Sequence, residues 1–120
     1  MAYNIVLVDD DEKIAELLGQ SLKTKGHNVK VFNDSTEAKL FFLEHEDFKV
    51  LVSDNIMPKL NGCDLIAECI EEKEEALYIL ATGDDSYNFL KLDEHQNVKI
   101  ISKPYKRKDI INAVGEFFNK

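Results

Sequence analysis

Apolar residues fill three short runs almost without interruption, at positions 5–8, 50–53 and 77–81. Positions 98–102 make a fourth run with one lysine inside it. These runs stop abruptly at polar residues. Continuously apolar strands of this length fit a parallel sheet covered on both faces. Positions 29–32 alternate instead, with Lys30 between Val29 and Val31, which predicts an edge strand. Helical patterns lie between the runs. Ile14, Leu17, Leu18, Ser21, Leu22 and Lys25 recur at i, i+3, i+4 spacing, and Gly26 is placed to end that helix. Asp34 with Glu37 three residues on resembles a capping box opening a second helix through Phe41 and Phe42. Leu65, Ile66, Cys69 and Ile70 stripe a third, and Ile110, Ala113, Val114, Phe117 and Phe118 stripe one that closes the chain. A further helix is expected within positions 86–92. The alternation is (βα)₅, which predicts an α/β fold with a doubly wound, five-stranded parallel sheet.

Composition narrows what such a fold is for. At 120 residues the chain suits one domain, and an apolar fraction of 44% is ordinary for a globular protein. No apolar run approaches the roughly 20 residues of a membrane span. No secretory signal is evident, and Cys63 and Cys69 fall in one predicted helix rather than in a disulfide framework, so the expected compartment is the cytoplasm. A net charge of −8 argues against nucleic-acid binding. His27, His45 and His95 show no ligand spacing, the cysteines suit helix packing, and the 71–75 and 106–108 charge runs suit solvated surface.

Chemistry collects at the strand ends, where ligands bind in open α/β sheets. Asp9 and Asp10 follow the first strand, Asp54 the third, Thr82 the fourth and Lys103 the fifth. Three neighbouring carboxylates either take up protons or bind a cation, and hard oxygen donors suit Mg²⁺. A carboxylate is also a competent nucleophile toward phosphorus, giving an acyl phosphate. Such a transfer needs chiefly positioning and neutralisation of the equatorial oxygens. Lys103 and the Thr82 hydroxyl can supply neutralising contacts, and Gly83 allows close backbone approach.

The motifs Val8-Asp9-Asp10-Asp11, Ser53-Asp54-Asn55-Ile56-Met57-Pro58 with Gly62, Ala81-Thr82-Gly83 and Ser102-Lys103-Pro104-Tyr105 stand in order at the strand ends. With them the sequence resembles the receiver domains of two-component response regulators over essentially its whole length. The resemblance implies a flavodoxin-like sheet of order 2-1-3-4-5, with residues 1–120 as a single receiver domain. It implies Asp54 as phosphoacceptor, and Mg²⁺ (or Mn²⁺) held by Asp9, Asp10, Asp54 and the Ile56 backbone carbonyl. Thr82 and Lys103 take the phosphoryl-contacting roles, and a cis peptide precedes Pro104. The implied partners are a histidine kinase or histidine phosphotransfer protein and a downstream protein effector. A monomer is expected, with a phosphorylation-dependent dimer as the alternative. The chain would catalyse its own phosphorylation and dephosphorylation rather than act as a conventional enzyme. No output domain is expected within these residues, whether the receiver stands alone or is cut from a longer regulator.

The sequence departs from the family pattern in three places. Ile100 stands where a switching aromatic often sits, positions 90–97 lack the usual small Gly-Ala pair, and Asp84 adds a negative charge near the pocket mouth. Ile56 and Asp84 are expected to modulate hydrolysis of the acyl phosphate. Two other readings share the fold. One is a pseudo-receiver, an interaction module not switched by phosphorylation, suggested by Ile100. The other is an FMN carrier, which the acidic stretch Asp9-Asp10-Asp11-Glu12 disfavours because it would repel a phosphate.

Overall fold

The computed structural model describes residues 2–83, 97–103 and 106–118, without the side chains of the last two. Five strands, β1 (Asn4–Val8), β2 (Asn28–Phe32), β3 (Val50–Asp54), β4 (Leu77–Thr82) and β5 (Val98–Ser102), form one sheet. All pairings are parallel, in the order β2-β1-β3-β4-β5, as expected. The helices are α1 (Glu12–Thr24), α2 (Ser35–Glu44), α3 (Gly62–Ile70) and α4 (Arg107–Phe118). The helix expected within 86–92, the peptide bond before Pro104, and residues Asp84 and Tyr105 lie outside the described residues.

Side chains alternate across a strand, so each continuous apolar run feeds two cores at once. Ile5, Leu7, Val50, Val52, Leu77 and Ile79 pack on one face against Leu18 and Leu22 of α1 and Ile110, Ala113 and Val114 of α4. Val6, Val8, Leu51, Tyr78 and Leu80 pack on the other against Ala38 and Phe42 of α2 and Leu65, Ile66, Cys69 and Ile70 of α3. The edge position of β2 shows in its exposure: Val29 is buried, whereas Lys30 and Val31 are exposed.

The helix starts follow their capping chemistry. Asp11 caps α1, its carboxylate accepting from the backbone N–H groups of Lys13 and Ile14 at 3.1 and 3.2 Å. Asp34 does the same for α2 toward Thr36 and Glu37. Gly26 has φ +94° just past α1, the left-handed conformation that glycine adopts without a Cβ penalty.

The strand order reverses at β1, which has β2 on one side and β3 on the other. At such a switch point the connections diverge to opposite faces and leave a crevice beyond the strand ends.

Candidate functional site

The acids after β1 separate into three roles within three consecutive residues. Asp9 is held inward at 5% exposure. Its backbone N–H donates to the Phe32 carbonyl at 3.1 Å, and its own carbonyl accepts from Asn33 Nδ2 at 2.9 Å. Its carboxylate accepts from the Asp11 backbone N–H at 2.9 Å. Asp10 is exposed, and Asp11 turns away to cap α1. Asp54, the last residue of β3, is half-buried beside them. One carboxylate oxygen from each of Asp9, Asp10 and Asp54 falls within a 4.8 Å set.

Lys103 reaches the same point from the end of β5, its Nζ 2.5 Å from Asp54 Oδ1. Its backbone N–H donates to the Thr82 carbonyl at 2.8 Å, so β4 fixes where the lysine starts. Asp54, Ile56, Thr82, Gly83 and Lys103 together line an open cavity of about 380 Å³. Thr82 is buried and Ile56 is 65% exposed at the rim. A Cβ at position 83 would meet Lys103 Cβ at an ordinary 3.5 Å, so the fold itself leaves room there. Ile100 lies half-buried against the core formed with α2 and α3.

The electrostatics follow from burial and crowding. Burial pushes the Asp9 carboxyl up to about 6, with the charges of Asp54 and Asp10 adding to the rise. The Asp11 N–H and the Lys103 ammonium oppose it. A divalent cation would relieve this crowding. Three carboxylates converging on one crevice, with no sulfur or imidazole donor in the group, fit a small hard ion such as Mg²⁺.

The response regulator receiver domain model matches residues 5–115. The chain belongs to that family. This receiver domain is 26% identical over 117 residues to the response regulator receiver protein CpdR of Brucella abortus, covering 92% of both chains. It is 32% identical over 113 residues to a CpxR homolog, a transcriptional regulatory protein of Haemophilus influenzae. There the match covers 92% of this chain but only 48% of the relative. A receiver domain structure from Clostridium thermocellum superposes with a TM-score of 0.87 at 25% identity, covering 98% of this chain and 94% of the other.

Two asparagines of this receiver domain bear on the site: Asn33 did not stand out in the sequence, and Asn55 stood out only as a member of the motif after β3. Asn33 holds the Asp9 backbone. Asn55, fully buried, accepts from Gly62 N–H through its backbone oxygen and from Cys63 N–H through its side chain. For Asn33 the only signal available was a polar residue beside a strand end, which many turns share. Gly62 was legible as a motif residue, and its reason is now visible. A Cβ there would run into the Asp54 carbonyl oxygen and lie 2.7 Å from Leu80 Cδ1.

Proposed function

We propose that this receiver domain accepts a phosphoryl group on Asp54 and so relays a signal in a two-component or phosphorelay pathway. The observation that carries the reading is the meeting of the Asp9, Asp10 and Asp54 carboxylates with the Lys103 ammonium at a strand-order switch point. In the step, an Asp54 carboxylate oxygen attacks the phosphorus of a phosphohistidine or a small acyl phosphate. A P–O bond forms to Asp54, the donor's P–N or P–O bond breaks, and the leaving group departs with its electron pair. Water later attacks the same phosphorus, returning the carboxylate and releasing inorganic phosphate.

Asp9, Asp10, Asp54 and the Ile56 backbone carbonyl would hold Mg²⁺, whose charge offsets that of the equatorial phosphoryl oxygens. The chain's own residues do the rest. Lys103 pairs with Asp54 before transfer and can follow the negative charge onto a phosphoryl oxygen. Thr82 lines the same cavity, and its hydroxyl would donate to another. Ile56 at the exposed rim, together with Asp84, modulates the approach of the hydrolytic water. The proposed partners are a histidine kinase or phosphotransfer protein as donor and a protein effector downstream, in the cytoplasm. Among the described residues no helix is long and apolar enough to cross a membrane.

Incubation with Mg²⁺ and acetyl phosphate should add one phosphoryl group by intact mass. An unmodified wild type, or an Asp54→Asn variant labelled equally well, would sink the reading. A second reading, an interaction module not switched by phosphorylation, draws on Ile100. A half-buried aliphatic packed on the core lacks the ring that would swing when Thr82 moves. Phosphorylation without any change in partner affinity would favour it.

A further inference from the structure

Asn55 is fully buried, yet among the described residues its Nδ2 has no hydrogen-bond partner. A buried donor without a partner is a standing cost that an apolar residue of similar volume would avoid. The compensation lies on the other side of the same amide. The first turn of α3 presents three backbone N–H groups that no helix carbonyl can accept. Asn61 Oδ1 takes that of Asp64 at 2.9 Å. Asn55 takes the other two, its main-chain oxygen from Gly62 at 2.7 Å and its Oδ1 from Cys63 at 3.0 Å. Its own N–H donates to the Ala81 carbonyl at 3.0 Å, beside Thr82 on β4. One residue thus joins the ends of β3 and β4 to the start of α3. Residues 56–61 are closed into a ring at its neck.

That ring has no regular structure to set its shape. It includes Lys59 at φ +69°, and outside the neck it is held by the 2.6 Å ion pair of Lys59 with Asp34, by Ser35 Oγ donating to the Pro58 carbonyl at 3.4 Å, and by Met57 buried in the core. Asp54 immediately precedes the neck, and Ile56 stands one residue inside it.

We propose that Asn55 is a positioning residue, clasping the first turn of α3 so that Asp54 and the Ile56 backbone keep a fixed spacing across the crevice in advance of any ligand. Side chains behind a metal site commonly alter affinity ~10-fold or more when removed, without touching the ion. The inference rests on the reading of this crevice as a Mg²⁺ and phosphoryl site, and its test separates the two.

Mg²⁺ is titrated calorimetrically into wild type, Asn55→Leu and Asn61→Ala, and each metal-free protein is melted. Asn55→Leu should bind Mg²⁺ ~10-fold more weakly while melting near the wild-type temperature, because removing the orphaned Nδ2 offsets leaving the Cys63 N–H without its acceptor. Asn61→Ala removes an α3 cap but not the clasp, so it should melt lower with unchanged Mg²⁺ affinity. Asn55→Leu with a lowered melting temperature and unaltered Mg²⁺ affinity would show a packing role only and overturn the proposal. Should Asn55→Leu fail to fold, amide exchange in the wild type decides. The Gly62 and Cys63 amides should be protected equally with and without Mg²⁺, whereas protection acquired only with the metal contradicts a pre-formed clasp. If wild type binds Mg²⁺ but is never phosphorylated, the functional reading fails while the affinity comparison still reports on Asn55.

Discussion

Gly62→Ala adds a single methyl group at the point where α3 touches the end of β3 at Asp54. The Cβ would strike the Asp54 carbonyl oxygen, sit 2.7 Å from Leu80 Cδ1 and lie 3.0 Å from Asn55 Cα. Two of those three atoms are backbone, fixed by sheet and neck hydrogen bonds, so relief requires moving the start of α3. Overpacking of this kind costs about 1–3 kcal/mol, and the backbone partners put it toward the upper end. Alanine's better helix propensity returns at most about 1 kcal/mol at this position. A net loss near 2 kcal/mol corresponds to a melting temperature ~6–12 °C lower for a domain of this size. Gly115 in α4 supplies the contrast, since a Cβ there meets nothing within 4 Å. Gly115→Ala should be stabilising by about 0.5–1 kcal/mol. Calorimetric or circular-dichroism melts of the three proteins check both signs. A Gly62→Ala protein melting within about 2 °C of wild type would refute the close approach of α3 to Asp54.

Two further predictions concern charge. The Asp9 carboxyl stands at about 6 in the fold against 3.8 ordinarily, so its stability contribution is complete below pH 3.8 and is lost as pH rises through 6. Asp9→Asn should therefore stabilise the metal-free protein at pH 7 by of order 1–3 kcal/mol and abolish Mg²⁺ binding. In wild type, Mg²⁺ affinity should fall roughly tenfold per pH unit below about pH 6, where the ion must displace a proton; flat affinity from pH 7 to 5 would contradict this. Lys73 bridges distant segments, its Nζ donating to the His45 and Phe48 carbonyls at 2.7 Å each and lying 4.1 Å from the Phe42 ring centroid. Lys73→Met should cost about 2 kcal/mol in a denaturant titration while leaving phosphorylation unchanged.

The fold was legible because it is written in local pattern. Residues 5–8 are apolar at every position since β1 lies between two other strands and is covered on both faces, while Lys30 and Lys99 interrupt the two edge strands, β2 and β5. The site was legible for a related reason: its groups sit where apolar runs stop, and the fold class says those ends converge. The division of labour among Asp9, Asp10 and Asp11 was only partly readable. Asp11 has the sequence position of a cap, but the inward turn of Asp9 depends on Asn33, 24 residues on. Lys73 lay in what reads as a solvated charge run, and its two carbonyl partners are 25 and 28 residues away. The Asn55 clasp was hidden likewise, since a loop's closing hydrogen bonds have no periodicity.

The central claim, that Asp54 receives the phosphoryl group, is tested most directly by locating the label. Protein treated with acetyl phosphate and Mg²⁺ is reduced with borohydride, which converts an acyl phosphate to the alcohol, and then digested and sequenced by mass spectrometry. One modified residue, Asp54, is expected, and none in protein incubated without Mg²⁺. Modification at Asp9, Asp10 or a histidine instead, or equal labelling in the absence of Mg²⁺, would contradict it.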